Sequence, residues 1–210
     1  ITMAVISNGT TIADAGAFSA SLGSMVHIKT LTADGSGSNL TFVHGSSSVV
    51  FDSTYPVYLF KFIGIHPSNN GVKFTFQVSI NGGSGYGVNT TCTYWGHYHN
   101  EAGTAASVGY EAASDVSNAT SEIQLVREDK LSSDNDHNGN GELYFFSPSN
   151  TTFAKNYLAR TQANHEAEYT MDSFIGGYID TTSAVNAIRF SVSAGNMDGG
   201  VIKMYGIKDS

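Results

Sequence analysis

Residues 55–80 read YPVYLFKFIGIHPSNNGVKFTFQVSI, and the run contains two long strands and the turn that joins them. Val72, Phe74, Phe76, Val78 and Ile80 alternate with Lys73, Thr75, Gln77 and Ser79. A period of two sends successive side chains to opposite faces, so the apolar set points into a core and the polar set toward water. Between the strands, HPSNNG supplies the Pro, Asn and Gly that a chain reversal uses.

Outward from this stretch the same cadence repeats. Strand-like runs are MVHIKTL from Met25, NLTFV from Asn39, SVVF from Ser48, TCTYWGHYH from Thr91, ELYFFS from Glu142, TFAKNYLA from Thr152, DSFIGGYI from Asp172, AIRFSV from Ala187 and GVIKMYGI from Gly200. Clusters of Gly, Asn, Asp and Ser separate them, among them ADGSGS, NGGSGYG, SDNDHNGNG and AGNMDGG. The best helical candidate, ASDVSNATSEIQLV from Ala113, is diluted by Ser and β-branched residues and reads as loop plus a short strand. The expected fold is therefore all-β, an antiparallel β-sandwich of jelly-roll type. Residues 24–210 form the sandwich. Residues 1–23, small and weakly charged, are an N-terminal arm for attachment or oligomerisation, or else a first strand.

Composition narrows the function classes. Charged residues make up 13% of the 210 positions and hydrophobic residues 40%, so Ser, Thr, Asn and Gly must cover much of the surface. The formal charge is −8 with basic residues scattered singly, which excludes a phosphate-neutralising stripe and with it nucleic-acid binding. No apolar run approaches the roughly 20 residues of a membrane span, and membrane insertion is not expected. The opening at Ile1 carries no signal-peptide pattern; without Met, it suggests processing or a missing upstream segment. A single cysteine, Cys92, sits among strand formers and reads as a small buried hydrophobe.

The phrases YPVYLFKFIGIHP, GGSGYG, GELYFFSPSNTTFAKNY and FIGGYIDTTSAVNAIRFSVSAGNMDGGVIKMYGIK resemble an uncharacterised family of structural, fibre-like virion proteins from tailed phages of marine bacteria. The resemblance covers about Met25 to Ile207. It implies a non-enzymatic component of a virion surface, on a tail fibre or as a capsid decoration, mediating assembly or host attachment. By analogy with phage fibres it also implies a homotrimer among other virion proteins. No catalytic residue transfers with it.

Three residue groups could carry chemistry. Exposed aromatics among Tyr86, Tyr94, Trp95 and Tyr98 could stack on the sugar rings of a host surface glycan, making the chain a lectin-like module. In DNDHNGNGE, Asp134, Asp136, Asn138 and Gly139 match the first, third, fifth and sixth places of a calcium loop. The twelfth place is Phe145 rather than Glu, so Glu142 would have to complete a Ca2+ site through a different geometry, and a solvated hairpin turn is the plain alternative. His97, His99 and Glu101 share one strand face and resemble the metal-binding strand of cupins, although the spacing departs from the cupin pattern and a later His is not matched. No nucleophile elbow or geometrically paired carboxylates are visible, and an enzyme is not expected.

Overall fold

A computed structural model describes residues 24–128 and 130–208 in full, together with the backbone of three short strands nearer the N-terminus. Those three, β1 (Val5–Ser7), β2 (Thr10–Asp14) and β3 (Ala17–Phe18), pair with one another as a separate antiparallel sheet. The remainder of the 1–23 arm lies outside the described residues. The other strands are β4 (Met25–Thr32), β5 (Asn39–Val43), β6 (Val57–Pro67), β7 (Phe74–Ser79), β8 (Thr90–Asn100), β9 (Ala106–Tyr110), β10 (Val116–Ala119) and β11 (Ile123–Gln124). They continue with β12 (Gly139–Phe146), β13 (Lys155–His165), β14 (Tyr169–Ile179), β15 (Ala187–Val192) and β16 (Met197–Ile207). Among the described residues there is no helix, and the Ala113 segment holds β10 and β11 as expected.

Strand pairing is nested. β4 pairs with β16, β5 with β15, β6 with β12 and β7 with β11, all antiparallel. One long hairpin is thus rolled into two layers, ordered β4-β16-β6-β12 and β5-β15-β7-β11, which is the jelly-roll wrap. Beyond β12 the first layer widens through β13, β14 and β8, and β9 and β10 share the far edge of β8.

Phenylalanines from both layers interlock between the sheets. Phe190 of β15 meets Phe62 of β6 at 5.1 Å and Phe60 at 5.3 Å between ring centroids, and Phe62 meets Phe74 of β7 edge-on at 5.2 Å. Such edge-to-face pairs add directional attraction to the burial of large apolar area. Under the widened part of the first layer, the 111–131 segment supplies Val116, Ile123, Leu125, Val126 and Leu131 as its inner cover, all buried. There the Tyr94 hydroxyl donates to Ser173 Oγ at 2.6 Å, and Lys155, fully buried, donates its ammonium to the carbonyls of Phe153 (2.9 Å) and Thr181 (3.0 Å).

The alternation in 72–80 holds for Val72, Phe74, Phe76 and Val78, but Ile80 is exposed and Thr75 and Ser79 are buried. The face expected in water is partly roofed: Thr75 Oγ1 donates to Glu122 (3.3 Å) and the Gln77 amide to the Thr120 carbonyl (3.3 Å). SVVF is a turn rather than a strand, with Ser47 and Ser48 at positive φ, yet Val49 and Phe51 are buried from it. Cys92 is a free, buried thiol.

Candidate functional site

Among the described residues the inner face of the long sheet is covered and its outer face is open, so the outward side chains of β12, β13, β14, β8 and β9 set the available chemistry. Register places them in rows. Glu142 stands opposite Arg160, Arg160 opposite Phe174, Phe174 opposite Trp95 and Trp95 opposite Tyr110. One step along, Tyr144 faces Leu158 and Leu158 faces Gly176, where the missing side chain leaves a depression. One step the other way, Gln162 faces Asp172, which faces His97.

Trp95 and Phe174 stack with centroids 5.1 Å apart and planes 23° from parallel, and His97 lies 6.2 Å from Phe174 at 28°. Trp95 is 45% exposed and Leu158 55%, so the ledge presents ring faces and an aliphatic edge to solvent. Arg160 lies with its Cζ 4.8 Å over the Phe174 ring while Nη2 and Nε grip Asp172 at 2.7 and 3.2 Å. This two-pronged pairing fixes the guanidinium plane and leaves other N–H groups directed outward. Lys61 Nζ sits 3.5 Å from Glu142. Burial, with the nearby Glu142 charge, pushes the Tyr144 phenol above its ordinary pKa, so it stays a neutral donor.

Around Gly176 these residues line a cavity of about 440 Å³ bounded by Trp95, Phe174, Leu158 and Tyr144. A second cavity of about 390 Å³ adjoins it, lined by Asn140, Gln162 and Asp172. Glu142 and Arg160 line both, so the two form one trough with an aromatic half and a polar half.

Of the aromatics expected to stack on a ligand, Trp95 alone lies in the trough. Tyr94 is completely buried on the inner face, its phenol held far above its ordinary pKa by burial. Tyr98 faces inward too, packed edge-on against Tyr169 at 5.3 Å with Arg127 over its ring. Tyr86, in the β7–β8 loop, is capped by Arg189 at 4.3 Å. Phe174, Leu158, Tyr144, Arg160 and Asp172 were not anticipated. Strand parity puts Asp172 with Phe174 in DSFIGGYI, and Leu158 with Arg160 in KNYLAR, on one face of each strand, but which strands lie beside β8 is a matter of long-range pairing.

The expected calcium residues do not converge. Asp134 and Asp136 are exposed in the turn before β12. Asn138 Oδ1 accepts from Asn140 Nδ2 at 2.5 Å, and Glu142 is turned onto the outer face against Lys61. The backbone turns inward at Gly139 and enters the β12 ladder, so the loop does not wrap back on itself as a calcium loop must. His97 and His99 do share the outer face, yet they part company: His97 approaches Asp172 at 3.6 Å, while His99 lines a small cavity with His137 and Glu168. Among the described residues, the group positioned to hold a metal is Asp134, His137 and Glu168.

No family model and no curated protein matches the sequence. A solved structure from Bacteroides ovatus, of unknown function, is similar over 50% of this chain and 45% of its own, at 9% identity and a TM-score of 0.28. The chain thus spans less than half of that protein, and the likeness carries no information on function. The all-β sandwich rests on the strand pairing described above.

Proposed function

We propose that this chain is a non-enzymatic glycan-binding module whose ligand lies in the outer-face trough, displayed on a phage particle where it mediates attachment to a host surface. The observation that carries the reading is the Trp95–Phe174 ledge beside the Gly176 depression, bordered by Arg160, Asp172, Glu142 and Tyr144. A pyranose ring has C–H faces that pack on aromatic faces and hydroxyl rims that need both donors and acceptors, and one trough offers both. Binding is favoured over cleavage because both carboxylates are committed to cations, Glu142 to Lys61 and Asp172 to Arg160. Neither is left as the free proton donor that glycoside hydrolysis requires. The virion setting and the homotrimer follow from the sequence resemblance.

Trp95 is the single tryptophan of the chain, so its emission reports the trough directly. Titration of the full chain with neutral and acidic oligosaccharides, followed by tryptophan fluorescence, should give a saturable change with at least one class. Absence of any change across the panel at millimolar sugar would remove the glycan reading. Light scattering tests the assembly separately, with a stable mass of three chains expected.

A further inference from the structure

We propose a transition-metal site formed by Asp134, His137 and Glu168, which pins the turn before β12 onto the β13–β14 hairpin. The anchor is His137. It is 8% exposed, held by its own N–H donating to the Asp134 carbonyl at 2.8 Å. Its Nδ1 is buried without a hydrogen-bond partner and points at Asp134, whose Oδ2 lies 3.8 Å away; Nε2 lies 3.6 Å from Glu168 Oε2. Both separations are too long for hydrogen bonds, so the arrangement desolvates an imidazole without satisfying it. A cation between the ring and the carboxylates would satisfy all three groups.

One imidazole nitrogen and one oxygen from each carboxylate already lie within 4.8 Å of one another. Metal–ligand bonds of about 2 Å in a tetrahedron require ligand atoms roughly 3.3 Å apart. The closure falls to the carboxylates, whose side chains are 52% and 56% exposed and free to rotate, while the buried imidazole stays where the fold puts it. The ion takes one ring nitrogen. The other keeps its proton for a carboxylate oxygen or water, the pairing that orients metal-bound histidines. Beside His137 and Glu168 a cavity of about 130 Å³, bordered also by His99 and Glu101, leaves space for a water in the fourth position.

Donor chemistry selects the ion. An imidazole with two carboxylates suits Zn2+ and its first-row neighbours, whereas Ca2+ wants six to eight oxygens and gains little from nitrogen. The site thus differs in residues and in metal class from the calcium loop expected from DNDHNGNGE, keeping Asp134 and replacing the other ligands by His137 and by Glu168 from a distant hairpin.

The test is titration of the full chain, freed of metal by a chelator, with ZnCl2 and separately with CaCl2, read by calorimetry and thermal unfolding. Co2+ loading adds the visible absorption of a tetrahedral site. The proposal expects one equivalent of Zn2+, a raised Tm, and no response to millimolar Ca2+. His137→Gln, Asp134→Asn and Glu168→Gln should each weaken Zn2+ binding by about tenfold or more. Should His137→Gln fail to fold, the two exposed carboxylate variants carry the test. Failure of the native chain to bind Zn2+, binding unchanged in the carboxylate variants, or Ca2+ binding that survives His137→Gln would each overturn the proposal.

Discussion

The adjacent glycines of FIGGY, Gly176 and Gly177, face opposite sides of β14 and should answer opposite questions when each is changed to alanine. A Cβ on Gly177 would stand 2.5 Å from the Thr91 carbonyl oxygen, 2.5 Å from the Tyr157 hydroxyl and 2.7 Å from Cys92 Cβ. None of these can retreat cheaply: Thr91 belongs to the β8–β14 ladder, and Tyr157 is buried with its hydroxyl 3.3 Å from Thr90 Oγ1. Overpacking by one methyl costs about 1–3 kcal/mol, and a backbone obstacle puts Gly177→Ala near the top of that range. For a chain of this length about 3 kcal/mol lowers Tm by roughly 6–12 °C. A Cβ on Gly176 meets only Leu158 Cδ2, at 3.3 Å, the tip of an exposed side chain that can swing aside. Gly176→Ala should therefore leave Tm unchanged, or raise it slightly through the smaller entropy of the unfolded chain, worth about 0.4–1 kcal/mol. Gly176→Val fills the trough floor and should weaken glycan binding roughly tenfold, about 1.4 kcal/mol, in a folded protein. Thermal unfolding followed by circular dichroism, with tryptophan titration of the variants, measures all of this. Equal destabilisation by the two alanines would refute the facing of β14, and native affinity in Gly176→Val would refute the trough.

Trp95→Ala should cost about 2 kcal/mol of glycan affinity, roughly 30-fold in Kd by calorimetry, since buried tryptophans dominate contact energies. Its effect on stability should stay within about 1.5 kcal/mol, the worth of its stack on Phe174. Phe190→Ala removes the ring against which Phe42, Phe60, Phe62, Phe74 and Phe76 pack and should destabilise by about 3–5 kcal/mol in denaturant titration. Lys155→Met strips the Phe153 and Thr181 carbonyls of their donor, at about 1–3 kcal/mol. Burial lowers the Lys155 pKa, so the unfolded chain holds that proton more firmly than the folded one, and the stability attributable to Lys155 rises with pH below the ordinary lysine value. The free-energy gap between native chain and Lys155→Met should accordingly widen from about pH 8 to pH 10; a flat or narrowing gap would contradict the assignment.

What the residues determined by themselves was local. Alternation in VKFTFQVSI and KNYLAR specifies strands because side-chain direction on a pleated backbone depends only on parity, and Cys92 was legible as buried because a lone cysteine among strand formers behaves as a small hydrophobe. Parity also separates Trp95 from Tyr94 and Tyr98, so those aromatics could never have formed one stacking surface. Burial of Thr75 and Ser79 was not legible, since Glu122 of the 111–125 segment comes over Thr75 and the turn after β7 brings the Asn81 and Gly83 N–H groups onto the Ser79 hydroxyl. The trough was decided by tertiary structure: Trp95 meets Phe174 only because β8 pairs with β14 in one register, across 79 positions of chain. Likewise DNDHNGNGE displays its oxygen ligands in plain order, but His137 finds Glu168 only through the β13–β14 hairpin. Strand formation follows from short-range sterics and the burial of an apolar face, whereas the composition of a site on a sheet follows from which strands are neighbours, a choice made by the packing of the whole core.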